Sequence, residues 1–510
     1  MKEEPKKYDF VFIGSGMGAL ACANILAQEG NSVLVLEKNQ QLGGSLQTFS
    51  RGKRIFDTGV HYIGGLSEGE NLNKIFKYLG VLQHLDLLKL DEERFDEIHF
   101  TGGKKYALGQ GYEKFKANLI KDFPGEALAI NAFCDKIQEV CSYFPLYNLD
   151  SEPKNNYIDS PDILEIDAWT YVNSITENQY LIGVLLGSGP LYAGEKEITP
   201  FFVLALIMNS YILGSYRIKN GGGQLTKALV KELRKYDVEL LKRKEVIKAH
   251  YKDSLVNCVE TSDGKFYYGK NFISNIHPLV TIDIFGEDKF KPAYRNRIRK
   301  VENTISCFTL YLSLKKDVIP YLNYNIYNYD VSPLQVWSLT NYDQDSWPQA
   351  MFISMQASKL QDKFADSLSV VTYMNYEEVQ QWDATFNTVV NRGVRGLDYE
   401  AFKKAKEAQI IEKLEAHFPN LKDQIVGVYS STPLTYKDYI GNYDGSLYGI
   451  KKNVNKINSS SINSRTRIKN LFLTGQNIIF HGILGVSLGA LITCFNFMER
   501  EALIKKIKKS

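Results

Sequence analysis

Cysteine and histidine are sparse in this chain and neither sign of charge dominates, and each shortage removes a class of function. The six cysteines, Cys22, Cys134, Cys141, Cys258, Cys307 and Cys494, are scattered without C-x-x-C spacing. That pattern excludes a disulfide framework and a zinc site, and it fits a reducing, cytoplasmic setting. The seven histidines form no H-x-x-x-H pair, so no metal is expected. The formal net charge is only +3 over 510 residues, which argues against a nucleic-acid footprint. Long apolar runs are also few. Two runs within residues 180–216 are too short to span a bilayer and read first as core helices, with an apolar-ligand lining or a monotopic membrane patch as alternatives. Residues 478–498 have spanning length, yet they contain His481, Asn496, Gly482, Gly485 and Gly489. A buried helix explains those polar and small residues better than a membrane span.

What is present is an ordinary globular composition, 44% hydrophobic, with length for two or three domains. The 32 tyrosines and 27 phenylalanines could line a large apolar cavity as well as fill cores. The most informative stretch is near the start. Phe10 to Ile13 is a β-forming run, followed by Gly14-Ser15-Gly16-Met17-Gly18-Ala19 and an Ala-rich helical segment to Gly30. The lysines of residues 2–7 ahead of apolar sequence imitate a secretory signal, but the glycine turn accounts for the segment better. A second strand, 32–36, ends on Glu37, 23 positions after Gly14. This is a βαβ dinucleotide fingerprint: Gly14, Gly16 and Ala19 give the small positions, and the carboxylate meets a ribose. A 2′-phosphate would be repelled by Glu37, so a nucleotide of the NAD or FAD kind is implied.

Further along, Asn71 to Leu79 and Gly111 to Asp122 have helical spacing, and residues 97–108 read as a hairpin around Thr101-Gly102-Gly103. A helix is expected from the Gly221-Gly222-Gly223 turn to about Lys235, then a strand over 238–246 and two more around the Asp263-Gly264 turn. Residues 301–372 alternate in the manner of antiparallel strands covered on one face. Residues 400–417 read as a charged helix, 432–445 as a polar aromatic loop and 451–469 as a mobile basic loop. A short strand over 470–477 feeds the helix over 478–498.

Together these pieces resemble the FAD-dependent phytoene desaturase, carotenoid isomerase and retinol saturase family. The matching motifs are Gly14 to Gly18 with Glu37, Gly43-Gly44, residues 56–64 (Phe-Asp-Thr-Gly-Val-His-Tyr-Ile-Gly), residues 221–225, residues 274–278 and residues 471–476. The segments around His61-Tyr62 and Thr474-Gly475-Gln476 look most like the retinol saturase branch. The resemblance implies an α/β fold: a Rossmann-like FAD-binding domain assembled from residues 1–90, 215–288 and 451–510, plus a mixed α+β substrate domain from 91–214 and 289–450. It implies that FAD is held by Gly14, Ser15, Gly16, Met17, Gly18, Ala19, Glu37, Lys38, Gly43, Gly44, Ser45, His61, Tyr62, Val246, Gly475, Gln476 and Asn477. Val246 would end its strand and meet the adenine, and the N-terminus of the last helix would point at the flavin ring. Two departures stand out: Ser45 where relatives often carry Arg, and Asn477 where Asp is common.

The implied activity is flavin chemistry on carbon–carbon double bonds of a hydrophobic polyene or isoprenoid lipid, first as a saturase, with desaturation or isomerisation as alternatives. His61, Tyr62 and His481 are the candidates for a proton donor, each also readable as a positioning residue. NAD(P)H is an open choice of electron donor, with no second glycine fingerprint to hold it. A lipid-binding escort of the same fold and a flavin amine oxidase are the competing functions. Peripheral membrane contact is expected from residues 180–216, the basic cluster at 294–300 and the lysine-rich C-terminal tail.

Overall fold

The computed structural model describes residues 5–356 and 363–510. Its first sheet has seven strands. Six run in the order Glu239–Lys242, Val33–Glu37, Lys7–Ile13, Phe266–Ser274, Leu255–Thr261 and Val246–Lys252, and Leu471–Leu473 also pairs with Phe266–Ser274. Pairing is parallel from Glu239–Lys242 through Phe266–Ser274 and for Leu471–Leu473; the last two strands are an antiparallel hairpin extension. Val33–Glu37 is buried at every position, as a parallel strand covered by helices on both faces must be. The helix Met17–Gln28 crosses from the first strand to the second and is buried along nearly its whole length. Lys7–Ile13 has Val33–Glu37 on one side and Phe266–Ser274 on the other. The glycine turn after Ile13 therefore sits where chain connections leave in opposite directions, the place where open α/β sheets bind ligands.

The second sheet also has seven strands, in the order Ile425–Ser431, Ser306–Leu314, Ser367–Met374, Ala350–Met355, Asn325–Tyr329, Asp96–Phe100 and Lys104–Leu108. Only Asn325–Tyr329 against Asp96–Phe100 is parallel. The expected one-sided burial fails here: Ser306–Leu314 is buried at every position, because the helix Leu397–Leu414 and the turn Thr48–Asp57 cover opposite faces. A small third sheet joins Ile63–Gly64, Ser215–Ile218 and Leu87–Lys89, tying the segment after His61-Tyr62 to the rest.

Several sequence expectations are corrected. The stretch 238–246 is two strands, since Arg243 turns the chain with φ 55° and Val246 opens the second strand instead of closing the first. Residues 432–445 hold a helix, Pro433–Ile440, started by a Thr432/Thr435 capping box with proline in the first turn. Residues 451–469 pack, with Ile462 and Ile468 buried beside Ile450 in the core under the first sheet. The helix expected over 478–498 spans only Gly482–Cys494, and the tail is a separate helix, Arg500–Lys509, that buries Leu503, Ile504 and Ile507. Residues 180–216 form the core helices Gln179–Leu185 and Phe201–Leu213 and the strand Ser215–Ile218, buried at most positions. Among the described residues no helix is long and apolar enough to cross a membrane, and no cluster of three or more His, Cys, Asp or Glu could hold a metal.

Candidate active site

One cavity of about 1570 Å³ runs from the glycine turn into the space beneath the second sheet. Ligand pockets commonly occupy about 300–1,000 Å³, so this one has room for a dinucleotide and a second molecule.

At one end the walls are backbone. Gly14 to Gly18, Gly43, Gly44, Ser45, Glu37, Lys38, Val246, Gly475, Gln476 and Asn477 all line the cavity. Ala19 does not; it is buried in helix packing, which is the role of the third small position. The N–H groups at the start of Met17–Gln28 have no intrahelical partner and favour negative charge. Gly18 must be glycine for a steric reason: a Cβ there would lie 2.8 Å from the Gly475 Cα and 3.0 Å from Asn275 Oδ1. The start and the end of the chain thus meet at van der Waals contact. Asn275 was not singled out from the sequence. Its Oδ1 is buried without a hydrogen-bond partner beside Gly18 and Gly475, and its Nδ2 lies beside Gly16. Free amides at a helix start, in a groove closed to any side chain, fit a phosphate-bearing ligand.

Glu37 is oriented from both carboxylate oxygens. Ser15 donates its N–H (3.0 Å) and hydroxyl (2.6 Å) to Oε2, and the Asn39 N–H donates to Oε1 at 2.8 Å. Ser15 Oγ also accepts from the Gly43 N–H at 3.1 Å, so one hydroxyl joins the first turn, the second strand and the Gly43-Gly44 loop. About four acceptor directions exist on a carboxylate, so capacity remains for a ribose hydroxyl. Lys38 turns away and donates to the Asp438 carbonyl at 2.8 Å; burial lowers its pKa. Asn477 accepts from the Ile450 N–H at 3.1 Å, an acceptor role that an aspartate would share, so this departure is structurally mild. Two of the recognised motifs meet at Asp57, whose carboxyl accepts from the Gly222 N–H at 2.7 Å and whose pKa burial pushes up to about 7.

The other end is aromatic. Tyr62 and Tyr211 pack with ring centroids 4.5 Å apart, Phe352 lies 5.0 Å from Tyr327 and 5.4 Å from His61, and Tyr448 stacks on His481 at 4.1 Å. Leu206, Ile207, Val371, Phe480 and Leu484 also line the cavity, whose lining includes the carboxylates of Glu37, Glu245, Asp383, Glu400, Glu407 and Asp444 as well. His481, Gly482 and Ile483, at the start of the helix Gly482–Cys494, line the cavity, so the expected helix N-terminus is there although this helix is not the last.

The three proton-donor candidates all reach the cavity. Burial, reinforced by Arg217, lowers His61 to about 4, and burial lowers His481 to about 4. Both are neutral imidazoles at pH 7. His481 sits 3.0 Å from the Leu191 carbonyl, and His61 Nδ1 is 3.4 Å from Ser354 Oγ. The Tyr62 hydroxyl donates to Asp96 Oδ2 at 2.8 Å and lies 2.7 Å from the Tyr327 hydroxyl. Asp96, Asn325 and Arg217 behind it carried no signal in the sequence.

A profile described as an NAD(P)-binding Rossmann-like domain matches residues 13–79. The chain is 26% identical to an all-trans-retinol 13,14-reductase of Danio rerio over 96% of its own length and 86% of the relative's. It is 22% identical to prolycopene isomerase 2 of an Oncidium hybrid cultivar over 95% of its length and 83% of the relative's. Among solved structures it resembles putrescine oxidase (TM-score 0.62, 12% identity, 99% of this chain and all of that one). A Rab GDI from Plasmodium falciparum shares the fold more loosely (TM-score 0.52, 13% identity, 97% of this chain and 98% of that one). With its glycine cradle, its aromatic chamber and this near full-length similarity, the chain fits the retinol saturase and carotenoid isomerase family.

Proposed function

We propose that this protein is an FAD-dependent oxidoreductase that saturates a carbon–carbon double bond in a hydrophobic polyene or isoprenoid lipid. The observation that carries the reading is the continuity of one cavity from a dinucleotide cradle to a cluster of aromatic and aliphatic side chains. A bound flavin would supply hydride transfer to or from carbon. The chain's own residues do the rest. Gly14 to Gly18 and Gly475 present backbone to the pyrophosphate, Glu37 takes the adenosine ribose, and Val246 lies beside Lys244, whose N–H donates to the Glu37 carbonyl at 2.8 Å. Gly43 to Ser45, Gln476 and Asn477 flank the ribityl chain. Tyr62, Tyr211, Phe352 and Phe480 exclude water and hold an apolar chain by its faces.

The test is anaerobic. The flavin of the purified protein is reduced, a panel of polyenes is added, and the product mass is read for a gain of two hydrogens. Reoxidation by oxygen alone across the panel would sink the saturase reading. A colourless protein that takes up no added FAD would favour a lipid escort instead.

Membrane contact, on this reading, has a further surface available besides those expected from the sequence. Phe386, Val389, Val390, Val394 and Leu397 are exposed in one segment, Val394 and Leu397 at 91% and 90%. Val389, Val390, Arg392, Lys403 and Lys404 also line the cavity. Apolar tips framed by cations suit an anionic lipid surface, where each Lys or Arg adds roughly 1 kcal/mol of attraction.

A further inference from the structure

Asp96 opens the strand Asp96–Phe100 and is 0% exposed, yet it is not part of the cavity wall. A carboxyl in such a place is costly unless its environment uses it. Its two oxygens face different partners. Asn325 Nδ2 donates to Oδ1 at 2.8 Å, and the Tyr62 hydroxyl lies 2.8 Å from Oδ2. Beyond Tyr62 stands the Tyr327 hydroxyl at 2.7 Å, and both tyrosines line the cavity.

The direction of every proton in this chain follows from Arg217. A guanidinium only donates, so Asn325 must turn its oxygen to Arg217 Nη2, 2.7 Å away. The other guanidinium bonds, to the Tyr321 hydroxyl and to the carbonyls of Leu322 and Tyr324, each 2.8 Å, hold that arrangement. Asn325 therefore presents its NH₂ to Asp96, and Asp96 Oδ1 can only accept. Any proton on Asp96 must sit on Oδ2, aimed at Tyr62. In that state Oδ2–H donates to the Tyr62 oxygen, Tyr62 donates to Tyr327, and the Tyr327 O–H is left for the cavity.

We infer that Asp96, Tyr62 and Tyr327 form a one-proton relay that feeds the reaction in the aromatic chamber. This rests on the saturase reading above. A bound reduced flavin would supply the hydride, with its two electrons, to one carbon of the double bond. The Tyr327 O–H bond breaks and its proton forms the C–H bond at the neighbouring carbon. Tyr327 recovers a proton from Tyr62, and Tyr62 from Asp96, which ends as a carboxylate and regains its proton from solvent between turnovers. Tyr327 is then the catalytic acid, and Tyr62 and Asp96 are positioning residues that set its supply. Burial raises Asp96 to about 7, against the pull of Asn325, Tyr62 and Arg217, so the store is half filled near neutrality. The ionisable groups facing it are Arg217, Tyr62, Tyr327 and Tyr211, and burial raises all three phenols far out of range.

The first measurement needs no turnover. Difference infrared spectra of the flavin-free protein, taken from about pH 5 to 9, should show a protonated-carboxyl band that titrates near neutrality and is missing in Asp96→Asn. The second uses the flavin-loaded enzyme. Tyr327→Phe, which removes one oxygen from an otherwise unchanged ring, should slow product formation by at least about 100-fold, the lower range for a general acid, with flavin binding intact. Asp96→Asn should abolish the fall in rate above neutral pH. Wild-type turnover in Tyr327→Phe, or an Asp96 ionised across the whole range, would overturn the relay. Failure of every polyene to reoxidise the wild-type flavin would instead overturn the saturase reading, and the infrared titration would still decide the relay.

Discussion

Replacing Gly18 with alanine tests whether the cradle is closed by contact between the two ends of the chain. Helix propensity alone would favour alanine by about 1 kcal/mol, since Gly18 lies within Met17–Gln28. Sterics oppose it. The new methyl would meet the Gly475 Cα at 2.8 Å and its N at 3.0 Å, both backbone atoms that no rotamer change can move. Overpacking of this kind costs typically about 1–3 kcal/mol, and a contact with fixed backbone belongs at the upper end. The net loss expected is about 2 kcal/mol, or roughly 30-fold in the apparent affinity for FAD if relief comes from parting Gly18 and Gly475. The assay is flavin fluorescence titration beside urea unfolding of apo and loaded protein. Gly125→Ala is the control, because a Cβ there meets nothing within 4 Å. Wild-type FAD affinity and unfolding midpoint in Gly18→Ala would refute the close approach.

Asp57 provides a stability test with a definite sign. Its folded pKa, about 7, is raised above the usual carboxylate value near 4, so the folded state holds a proton that the unfolded chain releases. The contribution is full below about pH 4 and is lost as pH rises toward 7, up to about 4 kcal/mol. Asp57→Asn should remove that slope in urea midpoints measured at several pH values, and an unchanged slope would show that Asp57 does not titrate there. His61 and His481, both lowered to about 4, should contribute nothing to the pH–rate profile between about 6 and 8. His61→Gln and His481→Gln should leave the shape of that profile unchanged, whatever their effect on its height, as stopped-flow flavin reoxidation would reveal. Val394→Asp with Leu397→Asp should weaken sedimentation with phosphatidylserine-containing vesicles at least tenfold, because each side chain can bury about 1.5–3 kcal/mol of apolar surface. Equal sedimentation would exclude this loop as the contact.

The dinucleotide unit was legible because its logic is local. Gly14 to Glu37 lies within one βαβ unit, where apolar runs, small residues and an acidic strand end follow one another at fixed spacing. The helix Pro433–Ile440 was missed although Thr432, Pro433 and Thr435 signal its start, because the aromatic and polar residues around them read as a loop. Arg243 hid a turn inside a basic run, since nothing in its side chain demands a positive φ. Residues 451–469 looked exposed because Ile462 and Ile468 are isolated among serines, asparagines and lysines; burial there comes from strands far away in sequence. The relay was beyond reach for the same reason. Asp96 and Asn325 meet only because two strands 229 residues apart pair in parallel, and a solitary aspartate among ordinary neighbours gives no hint of that.

The contact between Gly18 and Gly475 also sets a timetable for the protein's birth. The Gly14 to Gly18 half of the phosphate groove leaves the ribosome first, and the half that closes it follows more than four hundred residues later. At a synthesis rate of about 5–20 residues per second, the delay is roughly 20 to 90 seconds. Through that interval the first strand-turn-helix has no Leu471–Leu473 strand beside its sheet and no Gly482–Cys494 helix against its own, although both are part of its finished packing. The nascent chain must therefore wait with apolar surface uncovered, and loading of the nucleotide has to follow the synthesis of Gly475 and the helix after it.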